Sequence, residues 1–402
     1  MSEKICITYS IFPHPGGISA IIDDLWEYFH RRYETHICVN VNGGGNDGKY
    51  GPYLHVFDRV SFPQMFFPFM WLFTGYLSFH LWRLHRKHRF KCILAQDGYC
   101  SGLASLIVGK LSRTKVVIMD HGTSTNVADP FWVRAITERY QKGIGNRLKR
   151  FLFSIGETSR HTILKSVCKL GESFLFAGVE LDAFYRKHRV PQRKLKKYKH
   201  LVNTDFFTPL SEEEKRSRRQ REGLNPDALI VNIISRFAEE KGFEYMLPAL
   251  AQVLPQSRRP IQVLIGGDGV LRGFIENFIQ EHGLNNQVRL LGALDREGVR
   301  KVMQLSDLHL YAGIMGCSFS IALLEAMACG CASIVTPVPL LHREVITPER
   351  GWLVAPKDSK AIEMALREAA VSRSRLRQMG INARRYIEKN HSFAVAGKYF
   401  EI

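Results

Sequence analysis

The segment 229–254, LIVNIISRFAEEKGFEYMLPALAQVL, constrains the fold of this chain more than any other. Leu229, Ile230, Val231, Ile233 and Ile234 form a short, nearly continuous apolar run, as in a strand covered on both faces. A polar loop follows. Phe243, Met246, Leu247, Leu250 and Leu254 then recur at helical spacing, which predicts a helix opening near Gly242. This order puts Arg236 and Lys241 at the carboxyl end of a strand, beside a helix N-terminus. Ligands of open α/β sheets bind at such places, and helix N-termini favour anions. Two fixed cations there point to a polyanionic ligand such as a diphosphate.

The same plan recurs along the chain. Residues 4–12, KICITYSIF, read as a first strand, and PHPGG breaks the pattern. Ile18, Ile21, Ile22, Leu25 and Phe29 then give a helix its apolar face, with Gly16 and Gly17 at its start. Further strands are expected at 36–41, 92–96, 115–119 and 151–155, and residues 42–52 read as a flexible loop. In the second half IQVLIGG, VRLLG, DLHLYAG and ASIVT alternate with helical stretches at 270–282, 296–305, 319–329 and 360–370. Alternation on this scale means α/β architecture, parallel sheets with helices on both faces. A chain of 402 residues is long enough for two such domains. The link falls near 203–212, NTDFFTPLSE, which sets the expected domains at 1–205 and 206–380, with 381–402 as a C-terminal helix returning to the first domain.

Charge separates the halves. Residues 1–200 carry 30 basic and 15 acidic side chains, whereas 201–402 carry 26 and 23. A cationic half calls for an anionic surface as its partner. Aromatic and basic residues are not interleaved in any recognisable RNA-binding pattern, so nucleic acid is not the expected partner. The basic tract at 185–200 reads as a solvated loop. No apolar run reaches the roughly 20 residues needed to span a bilayer. The nearest, 62–79, is followed by HLWRLHRKHRF and has two readings. One is a core helix. The other is an interfacial helix whose aromatics sit among headgroups while Arg83, Arg86, Lys87 and Arg89 meet acidic lipid. The N-terminus lacks the regions of a signal peptide, and the eight cysteines form neither a Cys-x-x-Cys pair nor a zinc spacing. Reduced thiols in the cytoplasm are the expectation.

Several residues invite chemistry. Gly16 and Gly17 would let backbone N–H groups approach a phosphate, although a tight turn explains the pair equally well. The GGDG at 266–269 has Arg272 where the dinucleotide fingerprint needs glycine, and reads as a turn after a strand. Glu325 lies within FSIALLEAMACG, apolar almost all round, so its carboxylate must be paired. An arginine or the hydroxyls of a bound ribose would each serve. His121, in VVIMDHGTS, directly follows a strand; it reads as a donor to a sugar hydroxyl or phosphate, or as a plain loop residue.

Together these stretches resemble the family 4 retaining glycosyltransferases, nucleotide-sugar enzymes of the two-domain GT-B fold. SRFAEEKG is similar to the family's diphosphate motif, with Arg236 and Lys241 on its two cations. SFSIALLEAMACGCASIVT resembles the acidic motif, Glu325 matching the ribose-binding glutamate. GGISAII resembles the N-terminal glycine loop, His121 matches the histidine held near the transferred sugar, and NTDFFTP resembles the segment leading into the second domain. One departure stands out. The family's first glutamate, eight positions before the second, is here Cys317. Ser318, Ser320 or backbone N–H groups around Phe319 would then take over its contact with the donor sugar.

The resemblance implies two Rossmann-like doubly wound domains facing a central cleft. It implies transfer of a hexosyl group from a UDP- or GDP-linked sugar with retention of configuration, without cofactor or metal. The cationic first domain would bind a lipid-linked or cell-envelope glycan acceptor, as in polysaccharide or lipopolysaccharide synthesis, on the cytoplasmic face of an anionic membrane. A nucleotide-sugar epimerase of the same fold and a non-catalytic nucleotide-sugar-binding protein are the alternatives.

Overall fold

The computed structural model describes residues 3–11, 17–41, 49–58, 70–122, 146–315 and 319–400. Gly16, Cys317 and Ser318, together with 42–48 and 62–69 of the segments read above, lie outside the described residues. The chain divides into two compact units, one of Met1–Tyr198 with Tyr399–Ile402, the other of Lys199–Lys398.

The first unit is built on seven strands: β1 Lys4–Ile11, β2 Glu34–Val41, β3 Leu54–Asp58, β4 Cys92–Ala95, β5 Lys115–Asp120, β6 Phe174–Phe176 and β7 Leu195–Lys197. They lie in the order β3-β2-β1-β4-β5-β6-β7, and every pair is parallel. Ile7 of β1 faces Ile37 of β2 on one side and Leu94 of β4 on the other, and β1 and β4 are the strands at which the winding reverses. The apolar alternation of the sequence becomes a core in which Ile93, Ile118 and Phe174 meet Leu103 of helix Cys100–Ser112 and Ile163 and Val167 of helix Asn146–Leu170.

Two expectations for this unit need correction. Residues 151–155 are not a strand but part of helix Asn146–Leu170. Four apolar residues and a serine cannot fix a period, and the helical continuation through buried Ile163, Leu164 and Val167 decides it. The basic tract is not wholly loop. Val179–Lys187 is helical, and Leu195–Lys197 forms β7, the outermost strand, with Leu195 buried and lysines beside it. Lysines suit a sheet edge, because they discourage pairing with another chain.

The second unit contains β8 Leu229–Ile234, β9 Ile261–Gly266, β10 Val288–Gly292, β11 Leu308–Tyr311, β12 Ala332–Val335 and β13 Gly351–Leu353. Their order is β10-β9-β8-β11-β12-β13, again all parallel. The winding reverses between β8 and β11. Alternate residues of β8 feed opposite layers. Leu229, Val231 and Ile233 pack with Phe243, Met246, Leu250 and Leu366, while Ile230 packs with Leu264, Val302 and Leu305. The all-apolar run therefore reflects a strand covered on both faces.

The linking segment is locked into this unit. Asn203 Oδ1 accepts from the Asp205 and Phe206 N–H groups, each at 3.1 Å, and Arg384 donates to the carbonyls of Thr204, Phe207 and Ala328. Arg384 lies on helix Arg373–His391, whose residues 381–391 are thus part of the second unit. Phe400 returns to the first, its ring 5.1 Å from that of Phe29.

Candidate functional site

Among the described residues, four of the predicted donor residues, Arg236, Lys241, Phe319 and Ser320, follow the carboxyl ends of β8 and β11. Arg236 follows β8 directly. Its side chain is 46% exposed, and its guanidinium donates to Glu240 Oε1 at 2.9 Å. Lys241 ends the short turn Glu239–Lys241, and its ammonium stands 5.8 Å from the centre of the Tyr311 ring, on the last residue of β11. Burial, opposed by Glu240 and reinforced by Arg236, holds the Lys241 ammonium below lysine's ordinary value. Burial, with Glu240 assisting and Arg236 opposing, raises the Tyr311 phenol. These four side chains thus share one electrostatic neighbourhood.

Backbone contacts hold the two strand ends together. The Ile314 N–H donates to the Glu240 carbonyl at 3.1 Å. Gly242, at φ +74°, leads into helix Phe243–Val253, and a Cβ there would stand 1.9 Å from the Ala312 carbonyl oxygen. Only glycine suits that place. The GGDG loop lies against the same segment. Phe237 N–H donates to the Asp268 carbonyl at 2.9 Å, and a Cβ on Gly267 would stand 1.9 Å from the Ser235 carbonyl oxygen. Its glycines therefore serve close backbone packing beside Arg236.

Helix starts in this unit differ in capping, and helix Arg272–Glu281 lacks a side-chain cap. Helices Glu212–Arg221, Arg296–Leu305, Ser359–Val371 and Arg373–His391 open on Ser211, Asp295, Asp358 and Ser372, each accepting a backbone N–H of its first turn. Helices Phe243–Val253 and Ile321–Ala328, beginning after β8 and β11, have no side-chain cap. Their first N–H groups and the positive end of each helix dipole favour a negatively charged ligand.

The acidic-motif segment is described from Phe319 onward. Phe319 is buried, its ring 4.9 Å edge-on to His342 and 5.8 Å from His200. His342, fully buried, takes Tyr311 on another face at 5.5 Å, and its Nδ1 bonds the Thr336 carbonyl at 2.9 Å. Burial drives this imidazole down to about 4 despite that carbonyl. Ser320 stands before helix Ile321–Ala328, and Glu325 sits in that helix, 5% exposed among Leu323, Leu324 and Met327.

Gly17 and His121 belong to the first unit. Gly17 is the first residue of helix Gly17–His30, which has no acidic side chain in its first turn. His121 follows β5 and is buried, with both ring nitrogens engaged. Nε2 meets Gln96 Oε1 at 2.9 Å, and Nδ1 meets the Tyr198 hydroxyl at 2.7 Å. Burial lowers its imidazole to about 3, so the ring is neutral. A sugar hydroxyl would have to replace Gln96 or Tyr198 to reach it. Two buried carboxylates flank this histidine. Asp97 accepts from the Tyr99, Ser101 and Gly102 N–H groups at the start of helix Cys100–Ser112, and Asp120 accepts from the Gly122 N–H and the Tyr185 hydroxyl.

Sequence reading missed Glu240, Tyr311 and His342 in one unit and Gln96, Asp97, Asp120 and Tyr198 in the other. A signal existed for some of them. ILAQDG and VIMDHG both run from an apolar strand into an Asp within two residues of glycine, and both mark carboxyl strand ends. Nothing in the linear order marks Tyr311 and His342, because only the β8–β11 and β11–β12 pairings bring them to Lys241.

Residues 214–386 match the family model described as Glycosyl transferases group 1, a stretch that includes Arg236, Lys241, Cys317, Ser318, Phe319, Ser320 and Glu325. An uncharacterized glycosyltransferase of Methanocaldococcus jannaschii is 28% identical over 173 residues, 43% of this chain and 44% of that protein. Alpha-D-kanosaminyltransferase of Streptomyces kanamyceticus is 30% identical over 149 residues, 37% of each. The chain thus spans less than half the length of these curated relatives. A crystal structure of Anabaena HepE in complex with UDP-glucose is similar over 98% of this chain and 97% of that one, with a TM-score of 0.74 at 16% identity. The fold is that of GT-B glycosyltransferases, two Rossmann-like domains with parallel sheets.

Proposed function

We propose that this protein transfers a hexosyl group from a UDP- or GDP-linked sugar to a lipid-linked or cell-envelope glycan acceptor, with retention of anomeric configuration. The observation that carries the reading is the Arg236–Glu240–Lys241 group beside an uncapped helix start, where the second sheet reverses its winding. The C1–O bond to the β-phosphate breaks, and charge grows on the departing diphosphate. Arg236 and Lys241 neutralise it, aided by the N–H groups of helix Phe243–Val253. Arg236 would exchange its Glu240 partner for phosphate oxygen. The acceptor oxygen attacks C1 on the face the diphosphate leaves, and its proton passes to a diphosphate oxygen.

Glu325 is assigned to the ribose hydroxyls, and Ser318, Ser320 and the backbone around Phe319 to the sugar that a glutamate at Cys317 would otherwise contact. From the first unit, Gly16 and Gly17 are assigned to the donor phosphates and His121 to the sugar. Positive charge comes from side chains and helix ends, so turnover is expected to survive chelation of metals. The names of the relatives, a kanosaminyltransferase and a UDP-glucose complex, agree with a nucleotide-sugar donor.

The acceptor assignment rests on helix Met70–His88. Phe73, Thr74, Leu77 and Leu81 are buried, whereas Trp71, Leu72, Tyr76 and Phe79 are exposed, Leu72 to 66%. Exposed Arg83, Arg86, Lys87 and Arg89 follow at the same end. At about 1 kcal/mol per basic residue near an anionic surface, these four supply about 4 kcal/mol, roughly a thousandfold in partitioning. No helix among the described residues is long and apolar enough to cross a membrane. Peripheral attachment to the cytoplasmic leaflet is the proposed location.

A donor panel screened by thermal shift, followed by transfer assays and NMR of the product anomer, tests this reading. Arg236→Ala should lower turnover by about 10²–10³ with an unchanged melting temperature, since its side chain is half exposed. Stabilisation by no nucleotide sugar, or full activity of the variant, would sink the proposal. Tight donor binding with neither transfer nor hydrolysis would favour a non-catalytic nucleotide-sugar-binding protein, the reading that Cys317 invites.

A further inference from the structure

Three histidines far apart in the sequence converge in the first unit. His36 lies on β2, His55 on β3, and His88 ends helix Met70–His88. β2 and β3 pair with Cys38 opposite His55, so His36, two residues from Cys38, projects from the same sheet face as His55. The C-terminal end of the helix brings His88 onto that face. One nitrogen from each imidazole lies within 4.8 Å of one from each of the others.

The polar accounting of this cluster is incomplete without a further partner. His36 Nδ1 and His55 Nε2 are 2.8 Å apart, and one proton between them satisfies both. His36 Nε2 is 2.9 Å from Glu34 Oε1, which also accepts from Lys4 at 2.7 Å. His88 Nε2 is buried and has no hydrogen-bond partner. A buried polar nitrogen left unpaired is costly and calls for an explanation. Phe90 and Tyr53 wall the cluster, their rings 5.3 and 5.5 Å from His36.

We propose that His36, His55 and His88 form a binding site for one divalent transition-metal ion of the zinc class. Imidazole nitrogen is a favoured ligand of such ions, and three neutral imidazoles with an open fourth position are a recurrent set. An ion bound at about 2.0–2.1 Å in tetrahedral geometry needs its nitrogens about 3.3 Å apart. That value falls between the 2.8 Å of the His36–His55 pair and the 4.8 Å bound on the whole set, so small side-chain shifts suffice. Glu34 is the outer partner. Its hydrogen bond fixes the His36 tautomer with Nδ1 turned to the ion and raises ligand basicity. Bound metal would tie the end of helix Met70–His88 to the β2–β3 edge, and so steady the helix that presents the exposed aromatic face. This site is separate from the proposed sugar-transfer chemistry and does not depend on it.

The test uses the full-length, tag-free chain and zinc ion alone. Calorimetry against a competing chelator should give one zinc per chain. His55→Ala and His88→Ala should each weaken binding at least about 100-fold, and Glu34→Gln about 10-fold. Cobalt should show the visible bands of a tetrahedral nitrogen site, absent in both histidine variants. Zinc should also slow hydrogen exchange in the last turn of helix Met70–His88 and in β3. His36 is the most buried of the three, so the partly exposed His55 and His88 carry the mutational arm, with far-UV circular dichroism confirming their folding. Unchanged stoichiometry and affinity in folded His55→Ala and His88→Ala would place the ion elsewhere and overturn the proposal. Failure of the wild-type chain to bind zinc would do so equally.

Discussion

Replacing Gly242 with alanine tests whether the junction of β8 and β11 positions the cations. Two separable effects are expected. The left-handed backbone, φ +74°, costs a residue with a Cβ about 1–2 kcal/mol. The new methyl carbon would also stand 1.9 Å from the Ala312 carbonyl oxygen, and reaching even 3.0 Å requires about 1 Å of backbone movement. Lys241 is the adjacent residue, so the displacement falls on the ammonium beside Tyr311. Misplacement by about 1 Å can cost about 10²-fold in rate. Gly283 supplies the control. Its φ is +63°, yet nothing lies within 4 Å of its notional Cβ. Gly283→Ala should therefore lose about 1–2 kcal/mol in urea unfolding with unchanged donor kinetics. Gly242→Ala should lose more, and its kcat should fall about 10²-fold. If the two variants match in both stability and kcat, the close approach to Ala312 does not position Lys241.

Acid should unfold the second unit through its buried histidines. His309, His342 and His391 sit near 3, 4 and 4 because burial disfavours the imidazolium. A histidine depressed on folding binds its proton more readily when unfolded. Stability is therefore full above pH 6.5 and lost as pH falls toward 4, by at most about 4 kcal/mol per pH unit for three protons. Urea midpoints that stay level between pH 7 and 5 would refute this. On the exposed face of helix Met70–His88, Leu72→Ser with Phe79→Ser should weaken co-sedimentation with anionic vesicles at least tenfold while the melting temperature holds. Binding indifferent to this change, to lipid charge and to salt would remove the membrane from the reading.

How much of this was legible depended on burial. Strands β8, β9, β11 and β12 were readable because each is buried along nearly its whole length and appears as an apolar run, whereas edge strand β10 is only partly buried. β6, FLF, is fully buried but too short to fix a period, and Leu195–Lys197 shows a single buried apolar residue beside lysines. The mostly apolar 151–155 misled because its period cannot be separated from that of a helix. At the site, Arg236 and Lys241 were readable because a strand, a loop and a helix start adjoin in sequence. Tyr311 and His342 reach Lys241 only through the β8–β11 and β11–β12 pairings, relations that no local window contains.

Helix Met70–His88 carries one set of residues that fits each of its two sequence readings. The core reading holds for Phe73, Leu77 and Leu81, at spacing i, i+4, i+8. The interfacial reading concerns Leu72, Tyr76 and Phe79, at i, i+4, i+7, which lie exposed on the other side. A stable surface helix usually pairs an apolar stripe with a polar one. This helix is apolar on both, and so uninformative in its period. Its polar residues are instead concentrated along its length, in the last two turns, where Arg83 stands 5.8 Å over the Phe79 ring. Basic groups just beyond an exposed aromatic patch suit the headgroup layer, where a ring needs an apolar bed and a cation needs phosphate. An isolated exposed leucine would need no such account. Four large apolar side chains on one helix face, 37% to 66% exposed and followed by basic residues, do.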